Sequence, residues 1–229
     1  MVRVEIPDDP LDWRPQEPLV TRTPVTIRDP IVEPLWSGTR VLAHVDNRAV
    51  QPQPGVQLMA SMGIDIGFDE PELVTALSDA VLAQDAVLDG IITDEATRDA
   101  AGAAIVAEAR MSMMGTLMSR DVGIEVRRPT ATDDTATPRA FVAVDLLRLD
   151  GQSLLDVPLL ERKRLLESVL DQGPLVRVSV ICRPPVNGWV ASWQGAGLRG
   201  GMLKAANGRY IPGDRTPEWR TITKVGGRR

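Results

Sequence analysis

The sequence predicts an α+β fold with antiparallel sheets flanked by helices, and three observations carry that expectation. Short apolar stretches with period-two alternation mark strands, residues 176–182 among them. Apolar residues at helical spacing mark amphipathic helices, as where Leu73, Leu77 and Val81 fall at i, i+4 and i+8. The two kinds of element alternate without a regular βαβ period, which is the order of an α+β chain.

Along the chain, residues 1–30 hold Pro7, Pro10, Pro15, Pro18, Pro24 and Pro30. Such spacing excludes a helix interior and predicts an N-terminal arm, extended on the body or disordered, with Trp13 to pin it down. Residues 31–229 are expected to form one domain. Within it, 32–45 reads as a hairpin: a strand, a turn at Gly38, and a second strand with Val41, Ala43 and Val45 on one face. A turn at Asp46-Asn47 and a breaker at 51–55 precede a strand at 56–62. A helix follows over 71–84, joined on its apolar side by Val74 and Leu82, then a buried strand over 86–93 interrupted by Gly90. Residues 97–120 are the longest helical pattern, with a stripe of Met111, Met114 and Met118 that suits core filling. A polar loop over 129–138 leads to a strand at 141–151. The helix over 158–171 has Pro158 in its first turn and Gly173-Pro174 beyond its end. A short helix over 186–197 sets Trp189 and Trp193 on one face, and short strands are expected at 202–205 and 219–225.

Composition bounds the function. The chain has 229 residues, 43% hydrophobic and 25% charged, as in an ordinary globular protein able to bury a core. The lone Cys182 excludes an intramolecular disulfide and any cysteine cluster for zinc, which favours a reducing compartment. His44 is the only histidine, so a histidine-based triad or zinc site would hang on it alone, and a structural role is expected. No long uncharged apolar run and no signal-peptide character predict a cytoplasmic protein without a membrane partner. The net charge of −5 hides an asymmetry: from residue 177 onward, ten Lys and Arg face only Asp214 and Glu218. A basic C-terminal segment on an acidic body can either meet phosphates or complement the body, and Arg209, Arg215, Arg220, Lys224, Arg228 and Arg229 are the candidates for weak nucleic-acid contact. Lysine is scarce, limited to Lys163, Lys204 and Lys224.

Several motifs then share one frame. Phe141 opens FVAVDLLRLDGQSLLDVPLLERKRLL, and Gly197 opens GLRGGMLKAANGRYIPGDRTPEW. The first is similar to the ATP-dependent DNA ligase stretch Phe-Asp-Leu-Leu-x-Leu-Asp-Gly followed by Pro-Leu-x-Glu-Arg and a helix. The second resembles that family's Gly-Leu-Glu-Gly-x-x-x-Lys and Tyr-x-x-Gly-x-Arg-Ser-x-x-Trp, with Lys204, Tyr210, Gly213, Arg215 and Trp219 in register. Glu33-Pro34-Leu35-Trp36-Ser37-Gly38-Thr39-Arg40 resembles the family's Glu-Pro-Lys-x-Asp-Gly-x-Arg, and Ser61-Met62-Gly63 its Ser-Arg-x-Gly turn without the arginine. The resemblance covers about 29–225 and implies a ligase-type, ATP-grasp-like nucleotidyltransferase domain. DNA ligases continue into an OB-fold domain that closes over ATP; none is expected in this chain.

The same comparison implies degenerate chemistry. In the family a lysine attacks the α-phosphate of ATP to give a lysyl-adenylate, and carboxylates hold the metal. Here the lysine position is Leu35 and the aspartate position Ser37. Leu88-Asp89-Gly90-Ile91 has Ile91 for a glutamate, Arg199 replaces another, and the last motif has Thr221 and Thr223 for lysines. Frame residues stay and reactive groups go, so no catalytic residue, metal site or cofactor is expected; ATP and Mg²⁺ would enter only for an active enzyme of DNA repair and recombination. Residual nucleotide contacts are assigned to Glu33, Arg40, Phe141 and Lys204, with Phe141 more at home in a core and Arg199 a candidate to fill the vacated metal charge. Lys163 is placed on the outward face of its helix, and Cys182 in an apolar strand is expected to be inert. The expected role is a binding or assembly module beside a true ligase or another DNA-repair protein.

Overall fold

The computed structural model describes residues 6–20, 26–48, 55–96 and 138–224. The long helical pattern over 97–120, the loop over 129–138 up to its last residue, and the breaker at 51–55 up to Gly55 lie outside the described residues. The elements are β1 (Glu17–Pro18), β2 (Pro30–Pro34), β3 (Thr39–Asp46), β4 (Val56–Ala60), α1 (Pro71–Ala80), β5 (Asp85–Thr93), β6 (Ala140–Leu149), β7 (Gln152–Ser153), α2 (Leu159–Val169), β8 (Val176–Val178), α3 (Val186–Gly195), β9 (Gly201–Ala205), β10 (Arg215–Thr216) and β11 (Trp219–Ile222).

These make two principal sheets. The larger runs β4-β3-β5-β6-β7, with β8 also on β6, and the smaller runs β11-β9-β2. Pairing is antiparallel except β8 on β6 and β1 on β10, so the α+β expectation holds with a mixed main sheet. The hairpin expected over 32–45 does not form. β2 pairs β9 in the small sheet while β3 pairs β4 and β5 in the large one, because residues 35–38 cross from one sheet to the other.

Alternation then sorts the side chains into layers. Val41, Ala43 and Val45 of β3, Leu88 and Ile92 of β5, and Phe141 and Ala143 of β6 pack with Leu73 and Leu77 of α1 and Leu166 of α2. Gly90 in β5 is needed there, since a Cβ would run into the Phe141 ring. The opposite face supplies Leu42, Val87 and Leu147 to a cluster with Tyr210, Trp219 and Trp13 of the arm. Behind the small sheet, Val32 and Leu203 meet Val190 and Trp193 of α3. The layers are therefore helix, large sheet, small sheet, helix.

Two bulges modify β6. Ala143 faces Gly90 and Asp145 faces Asp89, then Leu146 faces Leu88 and Arg148 faces Val87, leaving Val144 and Leu147 as extra residues. The arm is held at several points. Trp13 is buried and donates to the Pro7 carbonyl at 2.9 Å, the Gln16 amide donates to the Tyr210 hydroxyl at 2.8 Å, and β1 pairs β10. No helix among the described residues is long and apolar enough to cross a membrane.

Candidate functional site

A cavity of about 150 Å³ opens between the two sheets. Its small-sheet wall comes from Glu33 and Pro34 of β2, Met202 and Lys204 of β9, and Trp219 of β11. Its large-sheet wall comes from Arg40 of β3, Ile91 of β5 and Val144 of β6, and the crossing segment adds Leu35, Trp36 and Gly38. That segment is fixed by its backbone: the Leu35 amide donates to the Gly200 carbonyl at 3.0 Å and the Ser37 amide to the Glu95 carboxylate at 2.7 Å. Gly38 has φ +146 and lies against the Ile92 carbonyl, where a Cβ would collide with backbone. Trp36 donates to the Ser179 hydroxyl at 3.0 Å.

The floor is a buried charge network. Glu33 is 1% exposed and stands between two lysines, with Lys163 Nζ 2.9 Å from one carboxylate oxygen and Lys204 Nζ 3.4 Å from the other. Arg40 grips Asp89 with two bonds, at 2.9 and 2.6 Å, and Tyr210 donates to the same carboxylate at 2.8 Å. Arg162 grips Asp145 with two bonds of 2.8 Å. The Trp219 ring carries both cations that line the cavity, Lys204 Nζ at 4.4 Å and the Arg40 guanidinium at 5.3 Å from its centroid.

Electrostatics follow from burial. Desolvation lowers the Lys204 pKa from its ordinary 10.5; Glu33 works against that shift and Lys163 adds to it. Burial disfavours the Asp145 carboxylate, but Arg162 more than offsets this, helped by Lys204 and Lys163, and its pKa stays below 3.8. The Arg40 pKa is raised: burial opposes its charge, and Asp89 outweighs that cost. Burial and Asp89 together push the Tyr210 hydroxyl well above 10.0, so it acts as a fixed donor. Four cations, Arg40, Arg162, Lys163 and Lys204, share three carboxylates, so the floor leans positive and attracts an anion. Both cavity cations are nevertheless held by internal partners, and the volume is below the ~300–1,000 Å³ of ordinary small-molecule pockets.

Of the residues singled out from sequence, Leu35, Ile91, Glu33, Arg40 and Lys204 come together at this cavity. Phe141 does not: it is fully buried on the helix side of the large sheet, and strand alternation gives the cavity wall to Val144, which is in register with the family pattern's phenylalanine. Ser37 points its amide at Glu95, and Arg199 lies exposed on the loop before β9, away from the cavity, so it does not fill a vacated charge there. Thr221 and Thr223 line a separate groove of about 560 Å³ with Arg220, Lys224, Pro18 and Leu19. Among the basic candidates, Arg209 pairs with Asp156 at 3.0 Å and Arg215 with Glu17 at 3.4 Å; Arg228 and Arg229 lie outside the described residues. No cluster of three or more metal-ligating side chains occurs among the described residues.

Lys163 is the main correction. It is 2% exposed, not outward. The spacing of Leu159, Arg162, Lys163 and Leu166 already put it on the buried face of α2, and only its charge argued for solvent. Cys182 and His44 are both buried. Burial raises the Cys182 pKa to about 11, which leaves it an inert thiol, and lowers that of His44 to about 4.

Comparison with known proteins gives the family and the fold. A family model described as the ATP dependent DNA ligase domain matches residues 23–222. DNA ligase C1 of Mycolicibacterium smegmatis is 30% identical over 207 residues, covering 88% of this chain and 55% of its own. The multifunctional non-homologous end joining DNA repair protein LigD of Mycobacterium tuberculosis is 27% identical over 184 residues, covering 80% of this chain and 20% of its own. Among solved structures, the ligase domain of M. tuberculosis LigD superposes with a TM-score of 0.61 at 21% identity, over 92% of this chain and 59% of that one. Mycobacterial DNA ligase D complexed with ATP and MES gives 0.61 at 24% identity, over 92% and 60%. The chain thus spans about half the length of the first curated relative and a fifth of the second.

Proposed function

Because this chain belongs to the ATP-dependent DNA ligase domain family, we propose that it keeps the family's fold without its adenylyl transfer, and serves DNA repair as a binding or assembly module. The observation that supports this reading best is the make-up of the cavity wall. Leu35 and Ile91 line it where the family pattern has a lysine and a glutamate, and neither side chain can attack phosphorus or hold a divalent cation. Arg40 and Lys204 keep the cavity attractive to an anion, but Asp89 and Glu33 already hold them. Its partners would be a true ligase or another DNA-repair protein, in keeping with relatives named as end-joining proteins.

Incubation with α-labelled ATP and Mg²⁺ or Mn²⁺, followed by denaturing electrophoresis beside an active ligase, tests the reading. Folded chain without label is the expected result. A second reading is favoured by one observation: Lys204 lines the cavity with a lowered pKa. On that reading its amine, after losing a proton to Glu33, forms the P–N bond while the bond to pyrophosphate breaks, and the chain is an active ligase needing ATP and Mg²⁺. An acid-labile label lost in Lys204→Met would establish it and sink the first.

A further inference from the structure

We propose that the surface formed by arm residues 6–14 and loop residues 61–72 is a docking site for a basic polypeptide segment bearing apolar side chains. Phe68 is 96% exposed, Met62 86% and Ile64 58%, three large apolar groups within seven residues of one loop. Single exposed apolar residues are ordinary; a contiguous set marks an interaction surface. The arm adds Leu11 and Ile6, at 36% and 41% exposed.

The two segments make one surface. The Arg14 guanidinium lies directly over Gly63, leaving no room for a Cβ. Asp9 and Arg14 of the arm and Asp65 of the loop all act on the same imidazole, His44. Both segments are also internally braced: Asp65 accepts from the Leu58 and Gly67 amides at 3.0 and 2.8 Å, and Asp9 from the Leu11 amide at 2.9 Å. The apolar groups are therefore presented by ordered turns.

Charge selects the occupant. Asp8, Asp9, Asp12, Asp65, Asp69 and Glu72 are exposed on these segments, and Arg14 is their one cation. Glu70 is buried and paired with Arg139. Ser61-Met62-Gly63 lacks the arginine of the resembled Ser-Arg-x-Gly turn, so the Arg14 guanidinium over Gly63 is the one positive group that these two segments bring to the patch. Such a field repels nucleic acid and anionic lipid and favours Lys- and Arg-bearing chains that also bury apolar side chains. This inference goes beyond the cavity and stands whether or not the cavity is catalytic.

The test is binding of the full chain to a fluorescein-labelled peptide of Leu and Arg, spaced to give one apolar and one basic helix face, with a Leu and Glu counterpart as control. Saturable binding of the first peptide alone is expected. A Met62→Ser/Phe68→Ser variant and an Asp12→Lys/Asp69→Lys variant, each shown to be folded, should weaken it tenfold or more. A Phe68→Cys thiol should react with a maleimide in the chain alone, against the buried Cys182 as internal control, and be protected by the peptide. Equal binding of both peptides, no loss in the Met62/Phe68 variant, or an unreactive Phe68→Cys thiol would overturn the proposal. Dimerisation of the chain, or binding of duplex DNA or anionic vesicles, that is lost in the same variant would overturn it too.

Discussion

Asp89 and Asp145 stand opposite each other on β5 and β6, both fully buried, and each is gripped by its own arginine. Like charges directly opposite on a sheet destabilise it, so the two guanidinium groups are what allow the pair to exist. Arg162→Met should then cost about 3–5 kcal/mol in urea unfolding, because it leaves Asp145 charged and unpaired. The double change Asp145→Leu/Arg162→Met should recover most of that loss. Equal destabilisation by the single and double variants would show that the pair is not coupled.

His44 sets a pH dependence. Its folded pKa of about 4 lies below the ordinary 6.5, chiefly because burial penalises the imidazolium. Between those values the unfolded chain binds the extra proton, so stability is full above 6.5 and falls as pH drops through the window towards 4. The loss amounts to about 3 kcal/mol, since each tenfold weakening of proton affinity is worth ~1.4 kcal/mol. His44→Gln should flatten urea midpoints across that window, and an unchanged slope would assign it to other groups.

Phe141 should behave as core. Phe141→Ala should destabilise the fold by about 3–5 kcal/mol, while leaving any residual affinity for a nucleotide analogue unchanged in folded protein. Arg40→Ala should do the reverse to affinity. A selective loss of nucleotide affinity in a stable Phe141→Leu variant would return that ring to the site.

Restoring one group should not restore chemistry. Leu35→Lys alone should remain unlabelled by α-labelled ATP, because Ser37 and Ile91 still leave the metal without carboxylates. Labelling of the single variant would mean that the nucleophile was the one missing part.

Much of this was legible in the sequence, for identifiable reasons. α2, β5 and β6 lie where their apolar patterns put them, α1 starts at Pro71 as expected but stops at Ala80 and leaves Leu82 exposed beyond it, and the shared motif frame located Leu35, Ile91, Arg40 and Lys204 at one cavity. The errors have physical causes. β2 and β3 are adjacent in sequence and separated by a glycine, which imitates a hairpin, whereas long-range pairing with β9 claims β2. Lys163 carries a charge that argues for solvent, and only Glu33, distant in sequence, explains its burial. Phe141 drew the assignment because it is the aromatic ring of its stretch, whereas the pattern's phenylalanine is in register with Val144, and plain alternation puts the two on opposite faces of β6.

Those bulges also limit how this chain can change length. They give the inter-sheet face of β6 two more side chains than the helix face over the same stretch, so that an apolar wall residue, Val144, and a counter-charge, Asp145, are chain neighbours facing the same way. Because Val144 and Leu147 are the extra residues, losing either would leave Asp145 opposite Asp89 and restore plain alternation there, but would take one side chain from the inter-sheet face: the cavity wall at Val144, or the packing with Tyr210 and Trp219 at Leu147. This segment can therefore shorten only at its two bulges, and its length sets how many side chains the wall between the sheets receives.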